Sequence, residues 1–375
     1  MVEIDLSLCA RVLDLAVTIQ QIPAPPFGEE QRAEFLRQRF IVEGLEDVSM
    51  DALGNVFACL PGRGASKPLV VSAHLDTVFP FETDLQVRRE PDRIFGPGIG
   101  DNSLGLAGLF GLLWALREAH GDEPGLPGDL GLVANVGEEG LGDLRGIRAV
   151  VDRFGGDVMA YLVLEGMALG QIYHRALGVQ RYRITARTGG GHSWVDYGRP
   201  SAIHELAELV TRITTISVPA KPRSTLNVGV ISGGTSVNTI APEAHLELDL
   251  RSEGAGALAN LVEQVEQVVA SASKPGVQIA LELIGHRPAG KLAATHPLVR
   301  AAKRALQRQG IQPNLTIGST DANMPLSRGF PAITVGLSTG FGAHTVNEYI
   351  HTLPLTQGLG QLVDVVQGAF LEMGN

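Results

Sequence analysis

Val70-Val71-Ser72-Ala73-His74-Leu75-Asp76-Thr77 carries an apolar run straight into a histidine and, two residues later, an aspartate. The run from residue 68 to residue 73 is short and continuous, the pattern of a strand buried on both faces. Residues 130–136 and 158–164 repeat the pattern, and helical spacing of apolar residues occupies 6–22, 29–43 and 104–120. Buried strands alternating with helices predict an α/β layer built on a largely parallel sheet. The same texture returns after residue 290, with a helix predicted over 297–309, a strand over 332–337 and a closing helix over 355–372.

Between these stretches the period changes. Residues 179–187 alternate through Tyr182, Ile184 and Ala186, and 201–216 read as a helix. Two strands follow at 226–231 and 245–250, then a helix at 255–273 and a strand at 277–284. The order β-α-β-β-α-β is the ferredoxin-like arrangement. The expected architecture is therefore a mostly parallel α/β domain formed by residues 1–174 and 291–375, interrupted by a small α+β domain at 175–290. A chain of 375 residues is long enough for two such cores.

Composition removes several function classes. Hydrophobic residues make up 44% of the chain and charged residues 19%, the profile of an ordinary globular protein. A formal net charge of −10 without a Lys/Arg-rich run argues against a nucleic-acid surface. The apolar run Leu104–Leu116 is shorter than the ~20 residues that span a bilayer, so no membrane partner is expected. Cys9 and Cys59 are too few for a disulfide framework, and the N-terminus is acidic where a secretory signal is basic. Those two features together point to the cytoplasm.

Five further motifs carry potential chemistry. His74 falls where a strand runs out, with Asp76 placed to orient its ring; a strand-end histidine beside a turn aspartate is the structural alternative. Gly96-Pro97-Gly98-Ile99-Gly100-Asp101-Asn102 delivers Asp101 before a long helix, where either Asp101 or Asn102 could instead serve as a cap. Gly137-Glu138-Glu139-Gly140 sets two carboxylates side by side, which repel unless a cation or proton lies between them. Glu165 ends a further strand, and His344 follows Gly340-Phe341-Gly342-Ala343, with Glu348 close behind. Taken together, His74, Asp101, Glu139, Glu165 and His344 form a nitrogen and oxygen donor set suited to zinc. Two divalent cations would balance the three carboxylates and one hydroxide, and a pair of that kind needs a bridging ligand, for which Asp101 is suited.

On these motifs the chain resembles the M20 metallopeptidases, the family of glutamate carboxypeptidases, aminoacylases and peptidase T-like enzymes. His74-Leu75-Asp76-Thr77, Gly100-Asp101-Asn102 and Glu138-Glu139-Gly140 match the family's signatures in order, and Glu165 and His344 fall at its remaining ligand positions. The resemblance implies two divalent ions, zinc first with cobalt or manganese as alternatives. Asp101 would bridge them, with His74 and Glu165 on one and Glu139 and His344 on the other. It implies that Glu138 is the general base for a metal-activated water, and that the Asp101–Asn102 peptide is cis. It also implies a lid at 175–290 that forms a homodimer. His192, in Gly189-Gly190-Gly191-His192-Ser193, would stabilise the oxyanion; Asn238, Arg251, Gly318 and Ser319 would contact substrate. Arg251 also fits an ordinary surface charge at a strand end.

The implied substrate is a small peptide or an N-acyl amino acid. Glu165, a Glu where aminopeptidases of the family carry Asp, favours a substrate with a free carboxylate. An aminopeptidase of the tripeptidase type and a non-catalytic relative are the alternatives. His192 is followed by Ser193-Trp194 where many members carry a small pair of residues.

Overall fold

The computed structural model describes residues 4–121 and 125–374. It divides into two compact units, Met1–Ala176 with Lys291–Asn375, and Leu177–Gly290. The first extends two residues past 174 because strand Gln171–Ala176 pairs within its sheet, antiparallel to Ala332–Gly336 and parallel to Asn314–Gly318.

Four adjacent strands at the centre of the first unit run parallel: Leu130–Asn135, Leu69–His74, Ala160–Glu165 and Ala332–Gly336. Antiparallel strands Val56–Leu60 and Glu46–Met50 extend one edge. Side chains alternate across this sheet with a period of two. Leu69, Val71, Ala73, Leu132, Ala134, Leu162 and Leu164 enter one core with the helices Leu6–Gln20, Leu104–His120 and Leu355–Met373. Val70, Val133, Tyr161 and Val163 enter the other, against Ile147 and Val150 of helix Arg145–Phe154. Both faces are covered, which is why these strands read as unbroken apolar runs rather than as alternating ones.

Register places the chemistry. His74 lies opposite Asn135, and Glu165 opposite Gly336, so the carboxyl ends of four neighbouring strands are level. The crevice outside such strand ends is where open α/β sheets bind ligands. A second, small sheet brings in the remaining groups: Arg93–Phe95 pairs with Tyr349–His351, which pairs with Gly340–Phe341. That pairing lays the loop carrying His344 and Glu348 beside the loop that leads from Gly96 to Asp101.

The helical stretch Ile99–His120 is long and apolar enough to cross a bilayer by length and composition, which the shorter run Leu104–Leu116 is not. Almost all of it is buried inside the unit, so it is a core helix. Its first turn is interrupted at Asp101 and Asn102, whose backbone angles are not helical. Gly105 lies directly against Asn102: a Cβ there would come 2.0 Å from the Asn102 Oδ1.

The second unit has one four-stranded antiparallel sheet in the order Ser224–Gly233, Glu243–Ser252, Gly178–Thr188, Val277–Arg287. Helices Ala202–Thr214 and Ala255–Ala270 pack on it through Leu206, Leu209, Ile213, Leu261 and Val265. This is the ferredoxin-like order, with its own hydrophobic core.

Gly105→Ala is expected to lower stability by about 1–3 kcal/mol, because the Asn102 side chain it would displace is buried and fixed. Gly256→Ala, in a helix with open space around the new methyl, is expected to raise stability by about 0.5–1 kcal/mol. Urea denaturation midpoints of both variants check the pair; equal shifts would contradict the packing assigned to Gly105.

Candidate metal centre and catalytic carboxylates

His74 Nδ1 faces the backbone carbonyl of Asp76 at 3.0 Å, which leaves Nε2 to face the crevice. Nε2 stands 3.1 Å from Asp101 Oδ1 and 3.9 Å from Glu165 Oε2. On the other side, His344 Nε2 stands 3.1 Å from Asp101 Oδ2 and 3.0 Å from Glu139 Oε1. Asp101 therefore presents one oxygen to each histidine. Ligand atoms of His74, Asp101 and Glu139 lie within 4.8 Å of one another, close enough for one ion. The Asp101–Asn102 peptide is cis, as the resemblance implies.

Electrostatics follow from this crowding. Burial opposes ionisation of Asp101, but hydrogen bonds from His344 and His74 outweigh it and hold its carboxyl below the usual range. Burial, then the charges of Asp101, Glu138 and Asp321, push Glu165 well up, against the pull of His74. Hydrogen bonds to Asp101 and Glu139 raise His344 to about 10.

Asp76 lies beside His74 and has further partners. Its carboxylate lies 3.5 Å from His74 Nδ1, but accepts closer hydrogen bonds from the backbone N–H groups of Glu138 (2.9 Å) and Glu139 (2.7 Å). It thus fixes the turn that carries the two glutamates, both of which are buried. Asn102 does not cap the helix behind it, and neither does Asp101. Instead, the Asn102 amide donates to the Leu164 carbonyl (2.8 Å) and its oxygen accepts from Gly166 N–H (3.1 Å), bracketing Glu165 from both sides.

Glu348 is the functional residue to which the sequence assigned no role. It is fully buried, and its carboxylate accepts from the backbone N–H groups of Gly98 (3.2 Å), Gly100 (2.7 Å) and Asp101 (2.9 Å). Burial raises its carboxyl to about 7 despite those donors. The only signal in the sequence was a carboxylate four residues after His344. A second buried pair, Asn135 Nδ2 donating to Asp321 Oδ2 at 2.8 Å, was equally silent.

Gly318 ends strand Asn314–Gly318 of the first unit with its backbone against the Tyr173 ring, and Ser319 follows it. The other sequence-nominated residues belong to the second unit. His192 pairs with Thr239 in a short two-stranded ladder. Its Nδ1 accepts from the N–H groups of Trp194 (3.2 Å) and Val195 (3.4 Å), which puts the ring proton on Nε2 and makes that atom a donor. Asn238 lies in the turn that precedes the partner strand Thr239–Ile240, where its carbonyl accepts from Ser193 N–H and its side chain accepts from Ser236. Arg251 sits elsewhere, on strand Glu243–Ser252, with its guanidinium bonded to Asp249 at 2.7 Å.

Comparison with known proteins decides the lineage. The profile of peptidase family M20/M25/M40 matches residues 70–369. The chain belongs to this peptidase family. Membership makes it a hydrolase. Its sequence is 24% identical over 377 residues to the uncharacterized protein YqjE of Bacillus subtilis, covering 96% of this chain and 98% of that one. It is 31% identical over 206 residues to a peptidase M20 domain-containing protein, C757.05c, of Schizosaccharomyces pombe, a match that spans about half of each chain, 52% of this one and 48% of the other. Among solved structures, a tripeptidase from Staphylococcus aureus superposes with a TM-score of 0.80 at 22% identity over 96% of this chain and 98% of that one. At that identity the likeness establishes the shared fold.

Within this M20 member, Glu348→Gln replaces an acceptor of three N–H groups by one that carries its own N–H₂ donor. Metal affinity is expected to fall about 10- to 100-fold with the fold retained. Competition with a chromophoric chelator, beside circular dichroism, measures both; unchanged affinity would remove Glu348 from the support of Asp101.

Proposed function

We propose that the chain is a co-catalytic two-metal amidohydrolase that cleaves an amide bond in a small peptide or an N-acyl amino acid. The observation that carries this reading is the division of Asp101 between His74 on one oxygen and His344 on the other. One carboxylate shared by two half-sites is the donor arrangement that a pair of cations needs. The donors are imidazole and carboxylate, which fit zinc and also accept cobalt or manganese. Asp101 with His74 and Glu165 would hold one ion, and Asp101 with Glu139 and His344 the other. When bound, these cations supply Lewis acidity and bring the pKa of a water molecule toward neutrality.

The protein groups have separable tasks. Glu138 takes a proton from the attacking water on its carboxylate and returns it to the leaving amine nitrogen. Asp76 accepts from the Glu138 backbone N–H and so holds that residue's backbone in place. His192, with its proton on Nε2, is assigned to donate to a developing oxyanion. Asn238, Gly318 and Ser319 are assigned to substrate contacts. Arg251 is assigned to a substrate carboxylate, a role in which the substrate would compete with Asp249. We further assign a homodimer to this chain through the domain at 175–290, supported by the ten-residue edge strand Ser224–Gly233, along which Val230 and Ile231 are exposed. Both thiols, Cys9 and Cys59, are free, in keeping with a cytoplasmic location.

Glu138→Ala is expected to bind about two metal equivalents per chain, as the unaltered protein does, and to lose hydrolysis by about three orders of magnitude or more. Elemental analysis and turnover of a panel of dipeptides, tripeptides and N-acetyl amino acids read both quantities, and light scattering on the same sample should give twice the chain mass. Hydrolysis by Glu138→Ala at the unaltered rate would remove Glu138 as the base. Absence of bound metal after zinc reconstitution would remove the mechanism.

A further inference from the structure

We infer that Phe27 and Phe81 form an aromatic wall beside the catalytic turn, and that this wall takes an apolar side chain of the substrate residue flanking the scissile amide. The inference rests on the amidohydrolase reading for its reaction, but not for its geometry.

Three large aromatic rings lie open among the described residues of the first unit, Phe341 at 75%, Phe27 at 63% and Phe81 at 56% exposure. Isolated exposed apolar side chains are common and need no explanation. Phe27 and Phe81 come from nearby backbone: the Phe81 ring lies over Gly28, the residue after Phe27, where a Cβ would come within 2.4 Å of its Cζ. Only glycine lets the ring settle there. Phe27 moreover has a φ of 71°, the left-handed region that a bulky residue avoids. Backbone held in that region persists only where its surroundings enforce it, and such positions concentrate at ligand sites.

The surroundings that enforce it are the metal-site loops. Thr77 N–H, one residue past Asp76, donates to the Ala24 carbonyl at 2.9 Å. Arg32, buried in helix Glu30–Val42, donates to the Leu75 carbonyl at 2.8 Å and to the Ile22 carbonyl, tying the same segment to the loop after His74. On the other side, Arg145 donates to both Glu29 oxygens (2.8 and 2.9 Å) and places its guanidinium carbon 4.3 Å from the centre of the Phe27 ring. The stem of Arg145 packs against Gly137, where a Cβ would lie 2.7 Å from its Cγ. Gly137 precedes Glu138. The inner face of Phe27 thus rests on an arginine wedged under the catalytic turn, while the ring as a whole remains largely open.

The Arg145–Glu29 pair that supports this surface ring is half-buried, and the Glu29 carboxylate loses its hydration to it. A polar residue at position 27 would satisfy solvent, and glycine would satisfy the backbone. An aromatic residue gives Arg145 a ring to rest against, and its open face is suited to an apolar ligand. The ligand class is therefore an aromatic or branched aliphatic side chain. Glycine or a charged residue would gain nothing from the wall.

The test uses full-length, zinc-loaded chain carrying Glu138→Ala, so that peptides bind without turnover. Calorimetric dissociation constants for Ala-Phe, Phe-Ala and Ala-Ala give the preference, which is expected to favour a Phe-bearing peptide by about tenfold. Phe27→Gly and Phe81→Ala should each erase most of it while leaving Ala-Ala binding within about twofold. Phe27→Gly should also keep or raise the melting temperature, because glycine adopts φ near 70° without strain; a structural role for the ring would lower it instead. Equal affinity for the three peptides, or a preference that survives both substitutions, overturns the inference. Discrimination that depends on Phe27, in a protein that hydrolyses no peptide, would count against the hydrolase reading and leave the wall standing.

Discussion

Concentrated negative charge is the constraint around which the first unit is built. Asp76, Asp101, Glu138, Glu139, Glu165 and Glu348 converge at one end of a sheet whose interior is otherwise apolar. Such a gathering is unstable unless each carboxylate is answered, and the answers differ. Asp76 is met by two backbone N–H groups and Glu348 by three. Asp101 is met by two histidines, one on each oxygen. Glu165, with only His74 nearby to offset its neighbours, is pushed toward its neutral form. The carboxylates satisfied by backbone are held in place by it, and those answered by histidine are the ones we assign to cations.

A layered arrangement follows. Groups that face the crevice are oriented by groups behind them, and those in turn by the sheet. Asn102 brackets Glu165, Asp76 fixes the Glu138–Glu139 turn, and Glu348 fixes the loop ending at Asp101. Buried polar networks of this kind raise the cost of any single error, because an unmatched donor or acceptor has no water to turn to. They also hold ligand atoms to the fraction of an ångström that metal coordination demands. The aromatic wall at Phe27 and Phe81 extends the same design outward. It is supported by Arg145 from beneath the catalytic turn rather than by the general core.

The fold was largely legible because burial on both faces of a parallel sheet leaves an unmistakable record. The runs at 69–74, 130–135 and 160–165 have no exposed side to encode, so they appear as continuous apolar segments ending in His74, Asn135 and Glu165. Short or edge elements left no such record. Strand Glu46–Met50 and the small sheet that pairs Arg93–Phe95 with Tyr349–His351 are half-exposed and brief, and little in their composition separates them from loops, whereas Val56–Leu60 is a buried apolar run that the reading of the sequence passed over.

The sequence by itself determined the donor types and their order: histidine, aspartate, two glutamates, glutamate, histidine, each following a strand or a glycine-rich turn. It determined the periods as well, two and 3.6, that sort the chain into a parallel layer and an inserted ferredoxin-like sheet. Only the tertiary structure decided which carboxylate supports and which one binds. Asp76 and Glu348 are carboxylates just as Glu139 and Glu165 are, and what sets them apart is backbone N–H groups supplied by segments 62 to 250 residues away in the chain. A hydrogen bond is short and directional, so its partners are fixed by where the folded backbone passes and not by what precedes or follows them in sequence.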